Sequence, residues 1–167
     1  MTNDAEQVVT RRVAVSAQTV WDALADFAGI SGWAPNVDHS CLLRGIGDEQ
    51  VAGEGLTRRI QTGRTTLRER VVIWDEPRTL AYELRGLPAV VSRAVNTWSL
   101  VASGPGDTTI TLTSGVDVGP RPPQRLVANV IARVMLRADE QMIDGLVTHL
   151  EQRSTVADPA AERMSAS

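Results

Sequence analysis

The run TTLRERVVIW, residues 65–74, places a carboxylate where one is costly. By the two-residue period of a strand, Leu67, Glu69, Val71 and Ile73 share one face, and Arg68 and Arg70 share the other. Glu69 therefore points with an apolar row, and an ion there must be paired, hydrated or protonated. In the preceding run, EGLTRRIQT, Arg58 is in phase with Leu56 and Ile60 and is the natural inward partner. A carboxylate so placed can exchange a proton at a carbonyl or orient a bound hydroxyl, or it can simply close a structural ion pair. The residue pattern leaves both readings open.

Three other positions bear on the same question. His39 is in phase with Cys41 and Leu43 in VDHSCLLRG, as a satisfied core histidine or as a ligand contact. Tyr82 shares a face with Leu84 in TLAYELRG, where its hydroxyl needs a partner. Thr97 and Ser99 lie in VNTWSLVAS, whose period is ambiguous.

Other chemistries find no support. Apart from carboxylates, only His39, Cys41 and His149 are available to zinc, so no metal site is expected. GIGDEQ has Gln50 where the third glycine of GxGxxG would fall, GKS and GKT do not occur, and Ser31 in GISGW makes no nucleophile elbow. All 17 basic residues are arginine, which excludes a Schiff-base lysine. No cofactor is implied. A net charge of −3 without a basic stripe argues against nucleic acid as a partner.

These residues need a scaffold, and 167 residues suffice for one domain with a full core. Residues 1–7 and 154–167 are small, polar and without period, so disorder is expected at both ends and a single domain over 8–153. One cysteine, no secretion signal and no uninterrupted apolar stretch of about 18 residues predict a cytoplasmic protein without an integral membrane segment.

Within the domain, VVTRRVAV reads as a first strand. Ser16 then caps a short helix carrying Val20, Trp21 and Leu24. Six strand-like runs follow, separated by short Gly- or Pro-bearing turns such as QTGRT, DEPR and SGPGD, which predicts an antiparallel meander. In TTITLTSGVDV, Ile110, Leu112, Ser114 and Val116 alternate with threonines, so one face needs a cover. That cover is a predicted helix from about Gln124 to Arg153, with Val127, Ile131, Val134, Ala138 and Met142 on one stripe.

The VWxxLxDF helix, the Trp33-Ala34-Pro35 loop, the Leu-x-Glu-Arg strand at Leu67 to Arg70 and the Asp-Glu-Pro-Arg turn before a Tyr-bearing strand carry a resemblance. The chain resembles the START/Bet v 1-like (SRPBCC) superfamily, in its polyketide cyclase/dehydrase and lipid-transport branch, over nearly all of residues 8–153. The resemblance implies an α+β helix-grip fold. A curved antiparallel sheet of about seven strands would wrap around the long C-terminal helix, with a two-helix insert after the first strand.

It also implies an apolar cavity between sheet and helix. Carried onto this sequence, His39, Arg58, Ile60, Leu67, Glu69, Tyr82, Leu84, Thr97, Ser99, Val134, Ala138 and Met142 would face it, with Trp33, Leu87 and Pro88 at its mouth and Trp33 packed between the insert and the tip of the terminal helix. Arg58 would hold a ligand carboxylate, while Glu69 and Tyr82 address a hydroxyl or carbonyl. The favoured function is binding or carriage of a small hydrophobic molecule (a lipid, polyketide or isoprenoid-like compound) by a monomer or homodimer. The alternatives are a cofactor-independent polyketide cyclase or dehydratase, with Glu69 and Tyr82 as acid–base residues, and a ligand-gated module that contacts a partner protein.

Overall fold

A computed structural model of the chain describes residues 5–44, 49–118 and 122–157, with side chains in the last helix described from residue 130 to residue 156. The strands are β1 (Ala5–Val13), β2 (His39–Leu42), β3 (Thr57–Thr62), β4 (Thr65–Asp75), β5 (Thr79–Arg85), β6 (Val91–Gly104) and β7 (Asp107–Val118). Helix α1 (Ala17–Ala25) and a 3-10 turn (Phe27–Gly32) follow β1, and α2 (Pro122–Ala157) closes the described chain. The strands form one antiparallel sheet in the order β1-β7-β6-β5-β4-β3-β2. Every sequence neighbour from β2 to β7 pairs, and β1 returns to β7, giving the α+β helix-grip arrangement.

The turns explain why the meander closes so tightly. Thr62 pairs with Thr65 around Gly63, whose φ of +57° only glycine adopts without strain. Gly104 pairs with Asp107 around Pro105-Gly106, with Gly106 at φ +73°, the Pro-Gly order that a type II turn requires. Ser16 Oγ accepts the Thr19 N–H at 3.2 Å, so α1 starts on a capped first turn.

Helix α2 is buried unevenly along its length. Ile143, Leu146 and Leu150, at spacings of three and four, are fully buried, whereas Val130 and Val134 are 61% and 64% exposed. Its sheet contacts are chiefly with β1 and β7. Its C-terminal half therefore sits on the main core with Trp21, Phe27, Leu80, Trp98, Ile110 and Leu112. The earlier part lies beside a smaller apolar cluster of Ala94, Val116 and Val118, with Ile131 and Met135 against it. The space between the two clusters is where a cavity forms.

Three expectations about boundaries and packing are corrected. Residues 5–7 are not a disordered leader: β7 offers a partner as far as Val116, so β1 begins at Ala5. Helix α2 continues to Ala157 rather than ending at Arg153. Trp33 does not meet the tip of α2, because its carbonyl oxygen lies against Gly145, closer than a Cβ at that position would allow. The loop crosses the helix at a residue without a side chain. Val127 and the terminal segments 1–4 and 158–167 lie outside the described residues or side chains.

Candidate functional site

The cavity between the sheet and the first half of α2 has a volume of about 300 Å³, at the lower end of the roughly 300–1,000 Å³ of small-molecule pockets. Ile60 and Leu67 of β3 and β4, Leu84 of β5, Ala94 of β6 and Val116 of β7 supply its sheet wall. Ile131, Val134, Met135, Ala138 and Met142 supply the helix wall. Val37 closes one end, and Leu87 and Val91 stand at the ends of β5 and β6. Since Val134 is both a wall residue and largely exposed, the cavity opens beside it.

Register decides which side chains reach this space. Arg58 pairs with Glu69, and Glu69 with Leu84, so all three project to the concave side. Glu69 lines the cavity and is 1% exposed. Arg58 lies behind it: its Nε donates to Glu69 Oε2 at 2.5 Å and its Nη1 to the Phe27 carbonyl at 2.7 Å. The guanidinium carbon stands 3.9 Å from the Phe27 ring centre and 5.1 Å from that of Tyr82. Its Nε and Nη1 are committed to a carboxylate and a carbonyl, and aromatic rings stand against the guanidinium. Arg58 does not line the cavity, so it is not placed to hold a ligand carboxylate there.

Of the twelve residues expected at the wall, Ile60, Leu67, Glu69, Leu84, Val134, Ala138 and Met142 lie there. Five do not. His39 pairs with Gln61, and Ser40 with Ile60; since Ile60 points inward, His39 and Cys41 fall on the solvent face. Thr97 and Ser99 lie on the convex side, because the alternating Ala94, Asn96, Trp98 and Leu100 occupy the buried one. Arg58 is masked by Glu69. Tyr82 belongs to the core: its ring meets Phe27 edge-on at 5.7 Å, and its hydroxyl accepts from Trp98 Nε1 at 3.3 Å and faces Met142 Sδ at 3.9 Å.

At the expected mouth, Leu87 lines the cavity and Pro88 does not. Trp33 packs edge-on against Trp98 at 6.1 Å and borders a separate open cleft of about 480 Å³ with Gly145 and His149. Ile73 is also displaced from the inward row. A bulge between Val71 and Ile73 turns it to solvent at 43% exposure and brings Trp74 against the core, 5.3 Å from Trp21.

The polar side chains that the sequence reading did not assign to the wall are Asn36, Thr62, Thr65, Asn96, Ser114 and Asp139. Three of them form a buried cluster: Ser114 Oγ lies 2.9 Å from both Asn96 Oδ1 and Asp139 Oδ1. Asp139 is 3% exposed, and burial pushes its carboxyl up to about 6, opposed by the Ser114 hydrogen bond. The signal was in the sequence, since Asp139 falls four residues after Met135 and three before Met142, an acid on an apolar helical stripe.

This shift has a measurable sign. A carboxyl that binds its proton more tightly folded, near 6, than unfolded, near 3.8, makes the native state hold more protons between those values. Stability then falls as pH rises from about 4 to about 6 and is level above that. Relative to Asp139→Asn, the wild-type protein is expected to lose about 2–3 kcal/mol across this window. Urea titrations of both proteins at several pH values check it; a flat difference curve contradicts the burial of this carboxylate.

The sequence profile of the family described as polyketide cyclase / dehydrase and lipid transport matches residues 5–151. A comparison with curated proteins returned no match. Among solved structures, the Zhui aromatase/cyclase from Streptomyces sp. R1128 is similar at TM-score 0.69 and 22% identity, over 89% of this chain and 94% of that one. A START superfamily protein from Mycobacterium smegmatis is similar at TM-score 0.68 and 19% identity, over 88% and 97% of the two chains. The protein TTHA0849 from Thermus thermophilus is similar at TM-score 0.68 and 16% identity, over 89% and 99%.

Proposed function

Because the chain belongs to the polyketide cyclase/dehydrase and lipid transport family, we propose that it binds and carries a small hydrophobic molecule in the cavity between its sheet and α2. The observation that carries this reading is the cavity itself: about 300 Å³, walled by aliphatic and methionine side chains, with one open side near Val134. An apolar ligand placed there gains roughly 25 cal/mol for each Å² it removes from water. The side chains of Met135 and Met142 are unbranched and adapt to more than one ligand shape. No helix among the described residues is long and apolar enough to cross a membrane.

The alternative, a cyclase or dehydratase, draws support from the family and from the carboxylate of Glu69 at the wall. Its proposed partner Tyr82 is enclosed by Phe27, Trp98 and Met142 and pushed up to about 12 by burial, so it does not share the substrate space with Glu69. Binding therefore needs fewer assumptions than catalysis. The test is a titration with N-phenyl-1-naphthylamine, a neutral probe that brightens in apolar surroundings. One-to-one saturable binding is expected; a linear, unsaturable response contradicts the reading.

A further inference from the structure

Asp139 is the feature of the cavity that the fold itself does not require. Its Oδ1 meets Ser114 Oγ, but its Oδ2 is buried and has no hydrogen-bond partner among the described residues. An unsatisfied buried acceptor costs free energy, and here it belongs to a residue of the cavity wall. Met135 and Met142, one turn to either side, line the cavity too. Such unbranched thioethers change rotamer at little cost, so a ligand can reach this part of the wall by side-chain movement alone.

Counting hydrogens fixes what this oxygen offers. Ser114 has one hydroxyl hydrogen and two oxygens at 2.9 Å, Asn96 Oδ1 and Asp139 Oδ1. It can therefore donate to only one of them at a time. When Asp139 is ionised, as it is above about pH 6, Ser114 donates to Asp139 Oδ1, Asn96 turns its amide nitrogen to Ser114, and Oδ2 carries only lone pairs. The complement of Oδ2 at neutral pH is then a donor.

The second wall carboxylate points the same way. Glu69 is an acceptor whose cation, Arg58, is already committed to it and to Phe27. A ligand ending in a carboxylate would meet two carboxyl groups and no free cation from these residues. Resting on the cavity reading above, we propose that Asp139 Oδ2 anchors the polar end of the ligand, an apolar molecule carrying a hydroxyl or N–H donor rather than a carboxylate.

Three naphthalenes of nearly equal size test it: 1-naphthol donates, 1-methoxynaphthalene has the oxygen without the hydrogen, and 1-methylnaphthalene has neither. Competition against N-phenyl-1-naphthylamine should rank 1-naphthol at least about tenfold tighter than the other two. Asp139→Leu should bring that ratio to about one; should it fail to fold, Asp139→Ala makes the same test. Equal binding of all three by the wild type overturns the donor proposal but leaves the cavity reading intact. If none of the three binds, the cavity reading itself fails and takes the proposal with it. A preference that survives the Asp139 substitution moves the anchor elsewhere, to Glu69 first, and overturns the assignment.

Discussion

Glu69→Ala is expected to lower the unfolding free energy by about 3–5 kcal/mol, among the largest effects of any single substitution in this chain. The reason is what it leaves behind. Arg58 is 2% exposed, stacked over Phe27 and bonded to the Phe27 carbonyl, and Glu69 is its only carboxylate partner among the described residues. Without Glu69 a guanidinium remains in the core with its Nε donor unanswered and no carboxylate beside it among the described residues. Replacing both members together, as Arg58→Met with Glu69→Leu, is expected to recover most of the loss, since the pair's mutual attraction barely exceeds the cost of desolvating it. Urea denaturation of the single and double variants gives the coupling directly. A cost below about 1 kcal/mol for Glu69→Ala would mean that cavity water solvates the pair.

The second large effect concerns the ligand. Ala138 sits half-buried on the helix wall, facing the sheet across the cavity. Ala138→Trp puts an indole into the space the ligand would occupy, so N-phenyl-1-naphthylamine affinity is expected to fall by at least about 100-fold, or about 2.7 kcal/mol. Because the ring enters an existing void, stability should change by no more than about 1 kcal/mol. Unchanged probe affinity in a folded Ala138→Trp protein would place the binding site elsewhere.

Most of the architecture was legible because its signals are local and repeated. The six strand runs after α1, their Gly and Pro turns and the apolar stripe of α2 each state their own period, and a meander leaves few ways to pair them. The site was legible only where an anomaly broke such a period. Glu69 among Leu67 and Val71 announced itself, and Arg58 with it.

His39, Thr97 and Ser99 were misplaced for a different reason. A strand's phase is absolute only when a large apolar residue fixes it, and one residue of slippage exchanges the faces. In β2 the phase is fixed by Ile60 on the neighbouring strand, through the pairing of Ser40 with Ile60, which no local pattern reports. In β6, Trp98 and Leu100 fix it, and reading those two as the buried pair would have sent Thr97 and Ser99 outward. The bulge after Val71 similarly changes faces in mid-strand. Tyr82 was given the right face but the wrong depth, since distance from the cavity depends on how far α2 stands off the sheet.

Where a ligand sits on the protein decides whether the cavity is the binding site. Backbone amide chemical shifts of the labelled protein, recorded while 1-naphthol is added, report this residue by residue. The expected perturbations centre on Ile60, Leu67, Leu84, Asn96, Ser114 and Ala138, which surround the cavity on both sheet and helix. Perturbations confined to Gly32, Trp33, Gly145 and His149 would place the ligand in the separate open cleft beside the C-terminal half of α2 and contradict the central claim.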